Sequence, residues 1–118
     1  MVAMASSVQI HIRPASGVWT VRAGGALIAE SERALELIEG TYPAVVYFPR
    51  EDTALSLLQR SETATFCPHK GAASHFDIIT PSGRITDAVW SYERPKQPMG
   101  AIAGYVAFYP DKVALDCR

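Results

Sequence analysis

TATFCPHKGAASHFDII, residues 63–79, is the stretch on which the fold turns. TATFC and ASHFDII are rich in β-branched and aromatic residues and stand either side of a Pro68–Gly71 corner. Proline presets φ for a turn and glycine supplies conformations that other residues avoid, so the segment reads as two strands meeting at a corner. If these two runs are strands, their neighbours in sequence must supply the partners.

The flanking sequence does so. PSG at 81–83 marks another hairpin turn, and RITDAVWSYERP (84–95) reads as a strand closed by Pro95. KQPMGAIAG (96–104) suits one helical turn with Gly104 as its stop. YVAFYPDKVALDC (105–117) reads as strand, turn and strand. Upstream, PAVVYFP (43–49) is a compact apolar run between prolines, typical of a buried strand. In REDTALSLLQRS (50–61), Asp52 is placed to N-cap a short helical turn carrying Leu55, Leu57 and Leu58. ERALELIEG (32–40) is ambiguous between helix and strand, and the surrounding β-structure favours strand. Val18–Arg22 and Ala26–Ala29 flank Gly24-Gly25, a pair able to take the positive φ angles of a primed hairpin turn. The first strand alternates Val8, Ile10 and Ile12 with Gln9, His11 and Arg13, which puts His11 on the outer face, and Pro14 ends it.

The sum is about eight short antiparallel strands with turn signals roughly every ten residues, a mostly β open barrel or sandwich with one or two helical turns. At 118 residues the chain suits one domain, with a core over about 8–116 behind a short flexible N-terminus. Hydrophobic residues make up 48% and charged ones 19%, which is ordinary globular composition. A net charge of -1, without a run of basic residues, argues against nucleic-acid binding, because phosphates need an excess of Lys and Arg. No stretch approaches the ~18 apolar residues of a membrane span, and the N-terminal run is too short and uncharged for a signal peptide. A cytoplasmic protein without a membrane partner is expected.

Chemistry concentrates at the corner. Cys67 could be a nucleophile activated by Lys70 and His69, with His75 as a second catalytic ring, or simply a small buried hydrophobe. Lys70 and Gly71 present an ammonium beside turn amides, which suits a phosphate or carboxylate, and the alternative is a solvated lysine at a hairpin tip. Tyr47, Trp90 and Tyr92 could form an aromatic wall: Trp90 and Tyr92 share a face by period-2 alternation, while Tyr47 and Phe48 point oppositely. Plain core packing is the competing reading. Cys67, His69, His75 and Cys117 would make four metal ligands, but the paired C-x2–4-C knuckles of structural zinc are missing, so neither metal nor other cofactor is expected. The expected partner is a small anionic or aromatic molecule at a site formed by Lys70, Gly71, His69, Tyr47, Trp90 and Tyr92. The alternative is a non-enzymatic module that binds a partner or forms a homodimer.

GGALIAES (24–31), VVYFPRED (45–52), TATFCPHKGAASHFDI (63–78), DAVWSYERP (87–95) and IAGYVAFYPDKV (102–113) follow one another in an order that closely resembles the bacterial domain-of-unknown-function family 427. The resemblance runs from about Ile12 to Val113 and implies a small β-rich domain of the Mss4-like, or β-tent, type. Two positions depart from the family pattern: His69 and His75 stand where aromatic residues are usual. The family's nucleotidyltransferase-like label implies carboxylates holding Mg²⁺ beside a phosphate loop. This chain has no D-x-D or D-x-E, and its Gly24-Gly25 pair reads as a hairpin turn.

Overall fold

The computed structural model describes residues 9–118, so Val8 and the short lead before it lie outside the described residues. Strand β1 (Ile10–Pro14) keeps the alternation of its sequence, with His11 exposed and Ile10 and Ile12 half-buried. β2 (Trp19–Ala23) and β3 (Ala26–Ser31) meet at Gly24 and Gly25, whose φ angles of +56° and +87° are the consecutive left-handed pair that a primed turn requires. The ambiguous ELIEG region is a strand, β4 (Leu35–Glu39), and the proline-bounded run forms β5 (Val45–Tyr47). The longest elements come next: β6 (Leu58–Cys67), β7 (Gly71–Thr80) and β8 (Gly83–Ser91). β9 (Val106–Phe108) and β10 (Ala114–Cys117) complete the set. Short 3-10 turns cover Arg50–Asp52, Leu55–Leu57 and Gln97–Ile102.

Among the described residues all pairings are antiparallel and give three sheets, ordered β1-β4-β5, β10-β2-β3 and β6-β7-β8-β9, without closure into a barrel. Two backbone bridges join them. Phe48 exchanges hydrogen bonds of 2.7 and 2.9 Å with Val106, tying the end of β5 to β9. Ala29 bridges Thr53, tying β3 to the segment after β5.

The apolar interior is divided in two. One cluster gathers Val21, Ile28, Phe48, Phe76, Ile78, Val89, Val106 and Phe108. The other gathers Leu37, Tyr47, Ala73, Tyr92, Met99, Ile102 and Ala107. Tyr47 and Phe48 are neighbours in sequence yet belong to different clusters, because successive side chains of an extended chain point to opposite sides.

Two local expectations need correction. Asp52 caps nothing: it sits inside the first 3-10 turn, and the Leu55–Leu57 turn is preceded by Ala54 with no side-chain cap. Its carboxylate is taken by Ser31 Oγ at 2.6 Å and Arg33 at 3.0 Å, which outcompete a cap in a turn this short. Leu58 is the first residue of β6, so the strand begins five residues before TATFC. Glu93 is half-buried and accepts hydrogen bonds from Arg50, Arg60 and Ser74.

Candidate functional site

The β6–β7–β8–β9 sheet puts a chosen set of side chains on one face through its register. His75 of β7 lies opposite Trp90 of β8, and Trp90 lies opposite Ala107 of β9. Thr65 of β6 lies opposite Ala73, two residues before His75. Directly opposed residues and residues two apart share a face. Thr65, His75, Trp90 and Tyr92 therefore project together, while Phe66, Phe76, Val89 and Phe108 occupy the other side. Facing them, β4 contributes Leu37 and Glu39 by the same alternation, and β5 contributes Val45 and Tyr47.

Between these two groups lies a cleft of about 310 Å³. Leu37, Val45 and Tyr47 form one wall, and Thr65, His75, Trp90 and Tyr109 form the other. Lys70, Glu39 and Tyr92 close one end, and Tyr42 and Pro43, on the turn between β4 and β5, stand at the rim. Tyr42 is 72% exposed. The rings fix one another in place. Trp90 Nε1 donates to Tyr47 Oη at 3.2 Å, with the rings edge to face at 6.2 Å. Tyr109 lies 4.5 Å from Trp90 between ring centres and stacks on His75 at 6.4 Å, 12° from parallel. Such contacts add about 0.5–1.5 kcal/mol per pair beyond area burial, so the wall is stiff before any ligand arrives.

Charge enters at one end only. Lys70 Nζ donates to Glu39 Oε1 at 2.6 Å and lies 5.9 Å from the centre of the Tyr92 ring. The side chains are 10% and 21% exposed. Burial pushes the lysine toward its neutral form, but the Glu39 hydrogen bond and nearby anionic groups outweigh it and hold its pKa above the ordinary value. Burial raises the phenols of Tyr47, Tyr92 and Tyr109, so all three keep their protons at neutral pH. The cleft thus holds the Lys70 ammonium, the Glu39 carboxylate from β4, the His75 imidazole and neutral hydroxyls.

Of the residues singled out in the sequence, Tyr47, Lys70, His75, Trp90 and Tyr92 line this one cleft. Cys67 packs against the neighbouring apolar cluster and does not border it. His69 is exposed on the turn. Gly71 is buried with φ of +109°, and a Cβ there would approach the backbone of Arg94–Lys96 within 3.5–3.7 Å, so its glycine serves the turn. The Lys70 amide bonds Cys67 O at 3.2 Å and the Lys70 carbonyl accepts from Lys96 N at 2.9 Å. The backbone there is occupied in holding the corner, and the ammonium is paired. Among the described residues, no three His, Cys, Asp or Glu side chains form a metal-holding group.

Glu39 and Thr65 escaped sequence reasoning, while Tyr109, in the aromatic FYP run at 108–110, was legible as a ring but not as a member of the site. Glu39 carried a signal: it follows Leu35 and Leu37 at period 2, a carboxylate on the apolar face of a strand. Thr65 Oγ1 lies 2.9 Å from His75 Nε2, while His75 Nδ1 is buried without a hydrogen-bond partner among the described residues. A hydroxyl–imidazole pair becomes a nucleophile and base when a third group fixes the imidazole tautomer. Among the described residues no third group fixes it, and the Thr65–His75 contact joins β6 to β7.

A second cluster lies away from the cleft. Arg50 reaches Gly104 O, Ser91 Oγ at 3.2 Å and Glu93 Oε2 at 3.0 Å, while Arg60 reaches the same oxygen at 2.9 Å. Both guanidiniums lie over Phe76. These contacts hold Glu93 down to about 2, led by the Arg60 hydrogen bond. Every member is committed to another, so the cluster reads as a clamp across β6, β7, β8 and the turn after β5.

A sheet-built cleft walled by tyrosine and tryptophan defines a small all-β domain with a single-ended charged pocket. The sequence pattern described as "Domain of unknown function (DUF427)" matches residues 11–117, and the chain belongs to that family. The family is also named NTP_transf_9. No curated protein matches the chain. Among the described residues, no helix is long and apolar enough to cross a membrane.

Proposed function

We propose that this domain binds a small molecule carrying a flat ring in the cleft between β4–β5 and the β6–β9 sheet. The observation that carries the reading is convergence: residues from β4, β5, β6, β7 and β8 and from the segments after them border one concavity. Concave, mostly apolar sites with a few polar groups at one end are the usual form of small-ligand sites, and about 310 Å³ is the small end of that range. Trp90 and Tyr109 offer the stacking surface. Tyr47, Tyr92 and Lys70 offer hydrogen-bond donors.

The reading is one of binding. Cys67 stands outside the cleft, and the Thr65–His75 pair lacks the third member that would activate it. The test uses Trp90 as its own reporter in a Trp19→Phe background, since these are the two tryptophans of the chain. Titration of 15N-labelled protein with indole and phenol should shift the Trp90 indole N–H resonance saturably, and Tyr109→Ala, which removes its stacking partner, should weaken that response. A flat signal to millimolar ligand in the parent protein would remove the cleft from consideration as a binding site.

A further inference from the structure

The charge content of the cleft narrows the class of guest. Among the described residues, its one lysine, Lys70, is already in contact with its one carboxylate, Glu39, at 2.6 Å. Lys70 Nζ has further N–H groups, and Glu39 Oε2 has no hydrogen-bond donor among the described residues. An anionic guest reaching Lys70 would therefore sit against the Glu39 carboxylate. A cationic guest reaching Glu39 would sit against the Lys70 ammonium. Either one leaves a like-charge contact in a place largely shielded from water, where such contacts are costly. A guest with both charges on neighbouring atoms meets neither penalty. Its carboxylate faces Lys70, its ammonium faces Glu39, and neither end of the guest meets a like charge at the pair.

We propose that the cleft is selective for zwitterions, and specifically for a free α-amino acid whose aromatic side chain packs against the wall formed by Trp90 and Tyr109. An α-amino acid carries its ammonium and carboxylate on one carbon, close enough to meet both members of a contact ion pair at once. The ring half of the cleft accounts for the side chain: Trp90 and Tyr109, in contact with ring centres 4.5 Å apart, both line the cleft and offer a guest ring their cleft-facing surface. The phenols of Tyr47 and Tyr92, kept protonated by burial, can donate to the carboxylate without adding charge. This inference rests on the cleft being a ligand site.

The experiment is a matched series on the unmodified protein: L-phenylalanine, 3-phenylpropionate, 2-phenylethylamine and 2-phenylethanol, which are zwitterion, anion, cation and neutral molecule with the same ring. Binding is read by calorimetry and located by the Trp90 indole N–H resonance, assigned with Trp19→Phe. L-Phenylalanine should bind roughly tenfold or more tighter than either singly charged analogue. Glu39→Gln should then shift preference toward 3-phenylpropionate, and Lys70→Gln toward 2-phenylethylamine. Equal affinity across the series, or a best ligand with one charge, would overturn zwitterion selection while leaving the cleft as a ring-binding site. Absence of binding by all four, with indole and phenol also silent, would overturn both readings.

Discussion

At the scale of single residues, the members of ion pairs carry the clearest consequences. Removing either charge of the Lys70–Glu39 pair strands the other in a place with little water. Lys70→Met is expected to destabilise the fold by about 2 kcal/mol in urea titration, and Glu39→Gln by less, because the amide oxygen still accepts. Glu93 gives a pH signature. Its carboxylate is held down to about 2 in the fold, whereas an unfolded glutamate binds its proton at about 4.3. Between those values the unfolded chain binds more protons than the native one. The stabilisation is therefore complete above about pH 5 and drains away as the pH falls toward 2. Acid titration of stability in Glu93→Gln should show a shallower fall than in the parent. Asp52, lowered by Ser31 and then Arg33, keeps part of the slope. An unchanged acid limb would mean that the clamp does not hold Glu93 as drawn. Little of this was legible in sequence, because Arg50, Arg60 and Glu93 meet only after β6, β7 and β8 have paired.

Elements were more legible than their partners. Gly24-Gly25 announced its turn because few other residues accept two left-handed conformations in succession. ELIEG yielded only to context, since its residues satisfy either period. The start of β6 was hidden because Leu57 and Leu58 read as one apolar pair, although the first ends a 3-10 turn and the second opens a strand. The glycine turn also separates conformation from packing. A Cβ at Gly25 would meet nothing within 4 Å, so Gly25→Ala should cost only the left-handed strain, about 1 kcal/mol. A Cβ at Gly24 would lie 1.9 Å from Thr80 Oγ1, which itself bonds Gly83 O and Ser82 N at the β7–β8 turn. Gly24→Ala is expected to cost about 3 kcal/mol by displacing that turn. Thermal melts that rank the two substitutions equally would contradict this packing of one hairpin tip on another.

For the molecule as a whole, the alternation of one short strand assigns adjacent residues to different jobs. Phe48 fills the larger cluster and its backbone bridges β9. Tyr47 fills the smaller cluster and accepts from Trp90 at the cleft. Phe48→Ala should cost about 3–5 kcal/mol of stability. Tyr47→Phe should cost about 1 kcal/mol and act mainly on ligand affinity. Denaturation and calorimetry on the two variants would separate these roles, and a Tyr47→Phe protein as unstable as Phe48→Ala would show that the two clusters are one. The β class, the strand order along the chain and the shared face of Trp90 and Tyr92 could be read from period and punctuation. The division into three sheets could not, because it depends on which distant edges pair.

β6 forms one margin of the central sheet, and it is not a clean one. Its pairing with β7 slips between Arg60 and Ala64, Gln59 through Glu62 are polar or charged, and Arg60 is tethered to Glu93. A stranger's strand arriving there would find a broken row of donors and acceptors set among charges. The opposite margin, β9, is three residues long and already bridged to Phe48. The two margins of the largest sheet are thus poorly suited to recruit a foreign strand and seed cross-β stacking.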